Sequence, residues 1–533
     1  MRHLHSRGAR LAACAVLILV VVGGARVAGR RTQNFGDGET ADDAVRRGLV
    51  AGDRIPRNIH EIRELLQRDP KGVLRTHVVA NGGHGHATPS PVDFMCFETF
   101  EGPLAGRTVG ESELLFGFFL ARRGSTLSIS DGFVELIAWD RTKRVYNFWE
   151  LLGSNWRYRG DSNDIAANVA TLNLGRSNAE FVFTKFSPEP ERQPVLRCSG
   201  CHTLGTPVMK EIEPPHNDWW RTKRPLPLAA LKPDAEVSKL LAGVADASNL
   251  ARVVKLGIDR LVKEDAVKGP TLAQRIRSLA TTMEINLASD SEPLQTRIVN
   301  GTAVEIPAGF FVDTRLVEQP AAVRVDLKAY RAALDGVGSR FPPESTTSTA
   351  QESHHAFLVP TRSYIDNRVL DDLIARSVLD QELVADVLAV DLTTPVFSRD
   401  RASLMRFFPA AAANADDLRT QLVAALKKAG TADAAAQALL ANITDPERTS
   451  AAHRRTAATF LASCQKAAAT PGAIEGWLRH AHGQRAAINE ADTGRHPTGT
   501  IREDGFRHVF PDQRESPRRF RLNPETCRAE PRP

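Results

Sequence analysis

Cys198-Ser199-Gly200-Cys201-His202 puts two thiols and an imidazole within five residues. Each thiol can add across one vinyl group of a porphyrin, which makes two thioether bonds along one edge of the macrocycle. The next side chain, His202, then falls where it can bind the iron as an axial ligand. C-x-x-C-H is the attachment pattern of c-type haem. With six Cys and 15 His in 533 residues, chance gives this pattern about 0.002 times per chain. A structural zinc site needs a second pair of ligands at similar spacing, and the sequence has no second C-x-x-C. A thioredoxin-like pair belongs beside a βαβ pattern, whereas VLRCSGCH follows a Pro-rich stretch. The motif predicts one covalent haem c, held by Cys198, Cys201 and His202.

The iron of such a group has a second axial position. A Met there raises the potential, a His lowers it, and an open position admits small ligands. Met209 lies seven residues after His202, and seven extended residues reach ~23 Å. It is the first candidate metal ligand, although a Met in an apolar patch more often packs than ligates. His216 is a second candidate, and Met95 could approach from the segment before the motif. A proline carbonyl, in Thr206-Pro207 or Pro214-Pro215, could accept Nδ1–H of His202 and fix its tautomer. Lys210, Arg221, Lys223 and Arg224 could neutralise propionates or dock an acidic partner, or simply form a solvated loop. Trp219-Trp220 could cover the haem edge or anchor the loop. His84 and His86 lie in NGGHGH, where a linker is the plainer reading than a surface metal.

The segment CSGCHTLGTPVMKEIEPPHNDWW (198–220) resembles the haem-binding segment of bacterial monohaem cytochrome c-like proteins. It is also similar to exported families in which C-x-x-C-H precedes a Gly/Pro turn, a Met-Lys-Glu and a Pro-rich aromatic stretch. The similarity is close over the motif and its flank, and looser over 93–220. It implies an electron carrier with a redox partner protein rather than an enzyme. Two other readings stay open: a haem enzyme or ligand sensor with an open iron site, and a scaffold with a structural haem. The chain is far longer than small cytochromes c and lacks their compact helix–haem–helix unit.

The elements that must position these residues suggest an α+β protein. Residues 1–25 read as a signal peptide: Arg2, Arg7 and Arg10 precede an apolar run, Leu11 to Ala25, that ends in small residues. An uncleaved N-terminal anchor is the alternative. Both place the body outside the inner membrane, in the periplasm or at the cell surface, with no other contact with a membrane expected. Residues 26–92 read as entry helices and a linker, with helical spacing at 59–68. A β-rich domain is expected over 93–186, from LLFGFFLARR, STLSIS, FVELIAWD and RVYNFWEL, with a helix at 162–174. Residues 187–227 form the haem-binding loop, rich in Pro and charge. A helical and mixed region follows at 228–345, with helices at 236–244, 247–266 and 270–281 and strands at 297–299, 303–306 and 323–327. A helical domain occupies 346–494, with helical periodicity over 361–391 and 415–491, and 495–533 is an extended basic tail.

Charge narrows the function classes. The net charge of +6 invites a nucleic-acid reading. However, three of the arginines lie in the leader, and the tail carries nine Arg against six Asp and Glu. The intervening chain is balanced, so no nucleic-acid partner is expected. Of the remaining cysteines, Cys464 and Cys527 are the pair expected to bond in an oxidising compartment, which leaves Cys96 as a buried thiol.

Overall fold

The computed structural model describes residues 35–52, 54–80, 92–166, 202, 205–207, 232–267, 270–280, 284–286, 302–339, 357, 359–362, 364–491 and 513–532. The expected leader, the NGGHGH segment, Cys198, Cys201, Met209, His216, the strand expected at 297–299 and most of the loop expected to bind haem lie outside these residues.

The N-terminal half is built on an antiparallel sheet, as the alternating apolar segments require. Helix α1 (Ile59–Leu66) precedes strands β1 (Val73–Ala80), β2 (Val92–Leu104), β3 (Arg107–Val109), β4 (Leu114–Arg123), β5 (Thr126–Asp140), β6 (Val145–Leu152) and β7 (Asn155–Asp161). Strand order is β1-β2-β4-β5-β6-β7, with β3 paired to β2. STLSIS and FVELIAWD, expected as separate strands, are one strand, β5, with exposed Asp131 and Gly132 at its middle. β1 lies in the region expected to hold entry helices and a linker. Only its pairing along β2, from Val73 opposite Glu101 to Ala80 opposite Phe94, makes it a strand.

One face of this sheet is sealed. Val78, Cys96, Phe118, Val134, Leu151 and Trp156 share one cluster with Ile59, Ile62 and Leu66 of α1 and with Val237 and Leu240 of α2 (Ala235–Ala242). Asn58 caps α1, accepting from Glu61 N at 2.9 Å, so the helix starts where its apolar face meets the sheet. Cys96 is a free, fully buried thiol whose pKa burial raises.

The first described residues are latched to the same sheet by a buried carboxylate. Asp43 Oδ2 accepts from Asn147 Nδ2 at 2.6 Å and from Trp149 Nε1 at 3.0 Å, and its Oδ1 accepts from Arg46 N at 2.7 Å. Asp140 Oδ2 accepts from Asn147 Nδ2 and from Asp42 N. Burial pushes Asp43 up to about 6, with the neighbouring Asp140 charge acting in the same direction.

The C-terminal half is mainly helical. Its elements are α3 (Ala247–Glu264), α4 (Leu272–Arg275), α5 (Arg277–Ala280), β8 (Glu284–Asn286), β9 (Ala303–Ile306), β10 (Val323–Asp326), α6 (Leu327–Gly336), β11 (Val359–Thr361), α7 (Tyr364–Ala375), α8 (Gln381–Leu388), α9 (Arg399–Ser403), α10 (Ala415–Ala429), α11 (Ala434–Thr444), α12 (Ser450–Ala467) and α13 (Pro471–Ala491). β9 pairs with β10, and β8 with β11. The helix expected at 270–281 is two short ones, with Thr271 and Gln274 forming a capping box on the first. A second core runs through these helices and reaches the sheet at Trp139, Tyr146 and Phe148.

The tail is extended but not loose over residues 513–532. Strands β12 (Phe520–Leu522) and β13 (Ala529–Pro531) form a hairpin, and Cys527 is bonded to Cys464 of α12 across a separation of 63 residues. Trp477 Nε1 of α13 donates to Cys527 O at 2.7 Å, and His480 Nδ1 donates to Phe520 O at 3.0 Å. Several tail arginines are paired: Arg532 with Asp400, Arg519 with Glu490, Arg521 with Glu530.

Candidate functional site

His202 is the one residue of C-x-x-C-H among the described residues, and it is held from three sides. Its ring packs on Phe148 of β6, with centroids 5.2 Å apart at 56°. The side chain is buried, as is Phe148. Its Nδ1 is 2.8 Å from Thr206 O. A carbonyl can only accept, so Nδ1 carries the proton and the lone pair lies on Nε2. The acceptor is the carbonyl one residue before the proline, rather than a proline carbonyl. Pro207 confines Thr206 to extended backbone, which holds that carbonyl in a set direction.

The turn that brings Thr206 back to His202 depends on a glycine. Gly205 N donates to His202 O at 3.0 Å, and Gly205 has φ of +65°. A Cβ there would lie 2.3 Å from Ser162 O, so no larger residue fits. Ser162, where the chain leaves β7, completes the anchorage. Its Oγ donates to Gly205 O at 2.7 Å and accepts from Tyr146 N of β6 at 3.0 Å. Behind the turn, Gly257 of α3 lets Tyr146 and Pro207 approach: a Cβ would lie 2.3 Å from the Tyr146 hydroxyl and 3.3 Å from Pro207 Cγ.

This geometry fits a haem histidine. An axial imidazole normally donates its other N–H to a carbonyl or carboxylate, which fixes the tautomer and orients the ring. The Thr206 carbonyl is such an acceptor, and Nε2 is the atom that would hold an iron. Beside Phe148 lies a buried ion pair, with Arg159 Nε donating to Glu150 Oε2 at 2.7 Å. Glu135 faces Glu150 across the β5–β6 pairing.

The other expected residues divide clearly. Met95 is on β2, opposite Phe119, and shares the sheet face that carries Phe148. It lies three strands away, about 14 Å at the usual strand spacing, which is farther than two axial bonds span. Met95 is therefore not brought to His202. Met209, His216, Lys210, Arg221, Lys223, Arg224, Pro214, Pro215, Trp219 and Trp220 lie outside the described residues, as do His84 and His86. Phe148, Ser162 and Gly257 carry no sequence signal of a role here. Gly205 does have one, as part of the Gly/Pro turn after the motif. No helix among the described residues is long and apolar enough to cross a membrane. No protein-family model, curated protein or solved structure matches the chain.

Proposed function

We propose that this chain is an exported c-type haem protein that carries electrons, with one haem joined to Cys198 and Cys201 and ligated by His202. The observation that carries the reading is the Nδ1–H bond from His202 to Thr206 O inside a C-x-x-C-H segment. It gives the motif histidine the tautomer and the fixed ring that an axial ligand needs. When bound, the group supplies a reversible one-electron couple. The chain's own part is to hold His202 against Phe148, keep its Nδ1 proton on Thr206 and shield that side from water. The Cys464–Cys527 bond supports an oxidising compartment such as the periplasm or cell surface. A redox protein partner completes the reading.

The test is covalent haem staining in a host that matures c-type cytochromes. The wild type stains after denaturation, and Cys198→Ala with Cys201→Ala does not. Staining that persists in the double variant overturns the assignment. A carbon monoxide spectrum separates carrier from sensor, because a carrier with both axial positions filled leaves the reduced spectrum unchanged on adding the gas.

A further inference from the structure

The helices that seal one face of the large sheet, α1 and α2, are far apart in sequence, and an imidazole joins them. His60, in the first turn of α1, is 2.6 Å through Nδ1 from Oε1 of Glu236, in the first turn of α2. Through Nε2 it is 2.8 Å from Asp131 Oδ1, at the exposed middle of β5. Asp131 and Glu236 both face solvent, which favours the ionised carboxylate. A carboxylate only accepts, and a neutral imidazole has a single N–H. One carboxylate on each ring nitrogen therefore requires the imidazolium. When the ring loses a proton, a lone pair faces a carboxylate, and one of the two contacts must open. The other charged groups around the ring have places of their own. Arg123 of β4 donates to the second oxygen of Asp131 at 3.3 Å. On α1, Arg63 is engaged with the buried Glu98, with Glu236 within range of its charge, while Glu61 and Glu64 pair with Arg57 and Arg54. On α2, Lys239 is exposed one turn beyond Glu236, and Asp234 is the cap.

What His60 holds is the downstream end of the segment that carries C-x-x-C-H. The chain rejoins the sheet at the start of β5. There Leu127 N donates to Lys232 O at 3.1 Å, and Asp234 N donates back to Leu127 O at 3.0 Å. Pro233 lies alongside Leu127 in this short parallel bridge. Asp234 then caps α2, accepting from Val237 N at 2.8 Å, and Val237 and Leu240 enter the sealed core. Glu236 sits between the bridge and the core, and His60 ties it to both α1 and β5. We infer that His60 is a proton-operated clasp that sets how firmly the downstream end of the motif-bearing segment is docked on the sheet. Imidazole is the side chain whose charge ordinarily changes between about pH 5 and 8. The clasp is closed in mild acid, with both contacts made, and half open in mild alkali. The inference does not depend on the haem assignment.

The experiment is hydrogen exchange of the full chain, read by mass spectrometry at about pH 5 and about pH 8 and corrected for the intrinsic exchange rate. The peptides that report are those covering 125–129 and 234–240. His60→Gln supplies a single side-chain donor nitrogen and no charge, as the neutral ring does. At the acid pH the wild type is expected to be about threefold better protected than His60→Gln in both peptides. At the alkaline pH the two should coincide. Glu236→Gln, at an exposed position, should likewise remove the extra protection in acid. Peptides from the centre of β2 should not differ between the proteins. A difference of equal size at both pH values overturns the clasp, since it describes a fixed structural contact. Wild-type protection that does not change with pH in either peptide also overturns it, and that arm needs no variant to fold.

Discussion

The two ends of the described chain are fastened to their layers by opposite means. At the N-terminal end, Asp43 reaches into the sheet and is held by Asn147 and Trp149. At the C-terminal end, the β12–β13 hairpin is strapped to the helices by Cys464–Cys527, backed by Trp477 and His480. The latch is a buried acid whose pKa is pushed up to about 6, and the strap holds a buried imidazole pushed down to about 4. The comparison teaches that burial alone gives two ionisable groups opposite pH responses. An acid in apolar surroundings resists losing its proton, and a base resists gaining one.

The largest effect should come from breaking the covalent fastening. Cys464→Ser opens a loop of 63 residues and should destabilise the protein by about 4 kcal/mol in the chain-entropy account. Denaturant unfolding, with reduced wild type as control, checks it, and an equal midpoint for oxidised and reduced wild type would contradict it. Next is the acid limb. His480 stays neutral in the fold and takes up a proton on unfolding, so its contribution is complete above about 6.5 and is lost as pH falls towards 4. The loss amounts to about 3 kcal/mol, and His480→Gln should flatten that limb of the stability profile.

Asp43 should behave in the opposite sense. Its pKa is raised, so its contribution is complete below about 4 and is lost as pH rises through about 6. The stability of wild type relative to Asp43→Asn should therefore fall between pH 4 and pH 6, by about 2 kcal/mol. A difference that stays flat or rises across that window would show that the carboxylate is ionised throughout. The smallest effect is expected at the site. Ser162→Ala removes the hydrogen bonds to the Gly205 carbonyl and from the Tyr146 N–H and should cost about 1.5 kcal/mol. It should change the visible spectrum of the haem-loaded protein more than its melting temperature, and the reverse pattern would count against Ser162 as part of the site.

Much of this was legible in the sequence where the cause is local. β4, β6 and the two halves of β5 follow from apolar alternation, and the helices of 415–491 from 3.6-residue spacing. β9 has the span its four residues suggest. The Cys464–Cys527 bond followed from counting thiols once the motif had claimed two. β1 was not legible, because its side chains become a pattern only beside β2. Asp43 looks like any surface acid of an entry segment until Asn147 and Trp149 surround it. The site divides the same way: the C-x-x-C-H spacing announces His202 and the glycine after it, whereas Phe148 and Ser162 reach the turn from 40 or more positions upstream through pairing no local signal records.

Gly257 carries a consequence for the order of events in synthesis. The sheet contributes Tyr146, the turn contributes Pro207, and both close on a helix that comes later in the chain. As the polypeptide emerges, Tyr146 and Pro207 appear before the residue against which they are finally packed. The turn at Gly205–Pro207, and with it the carbonyl that holds His202, is therefore backed only once the helix of Gly257 has been made.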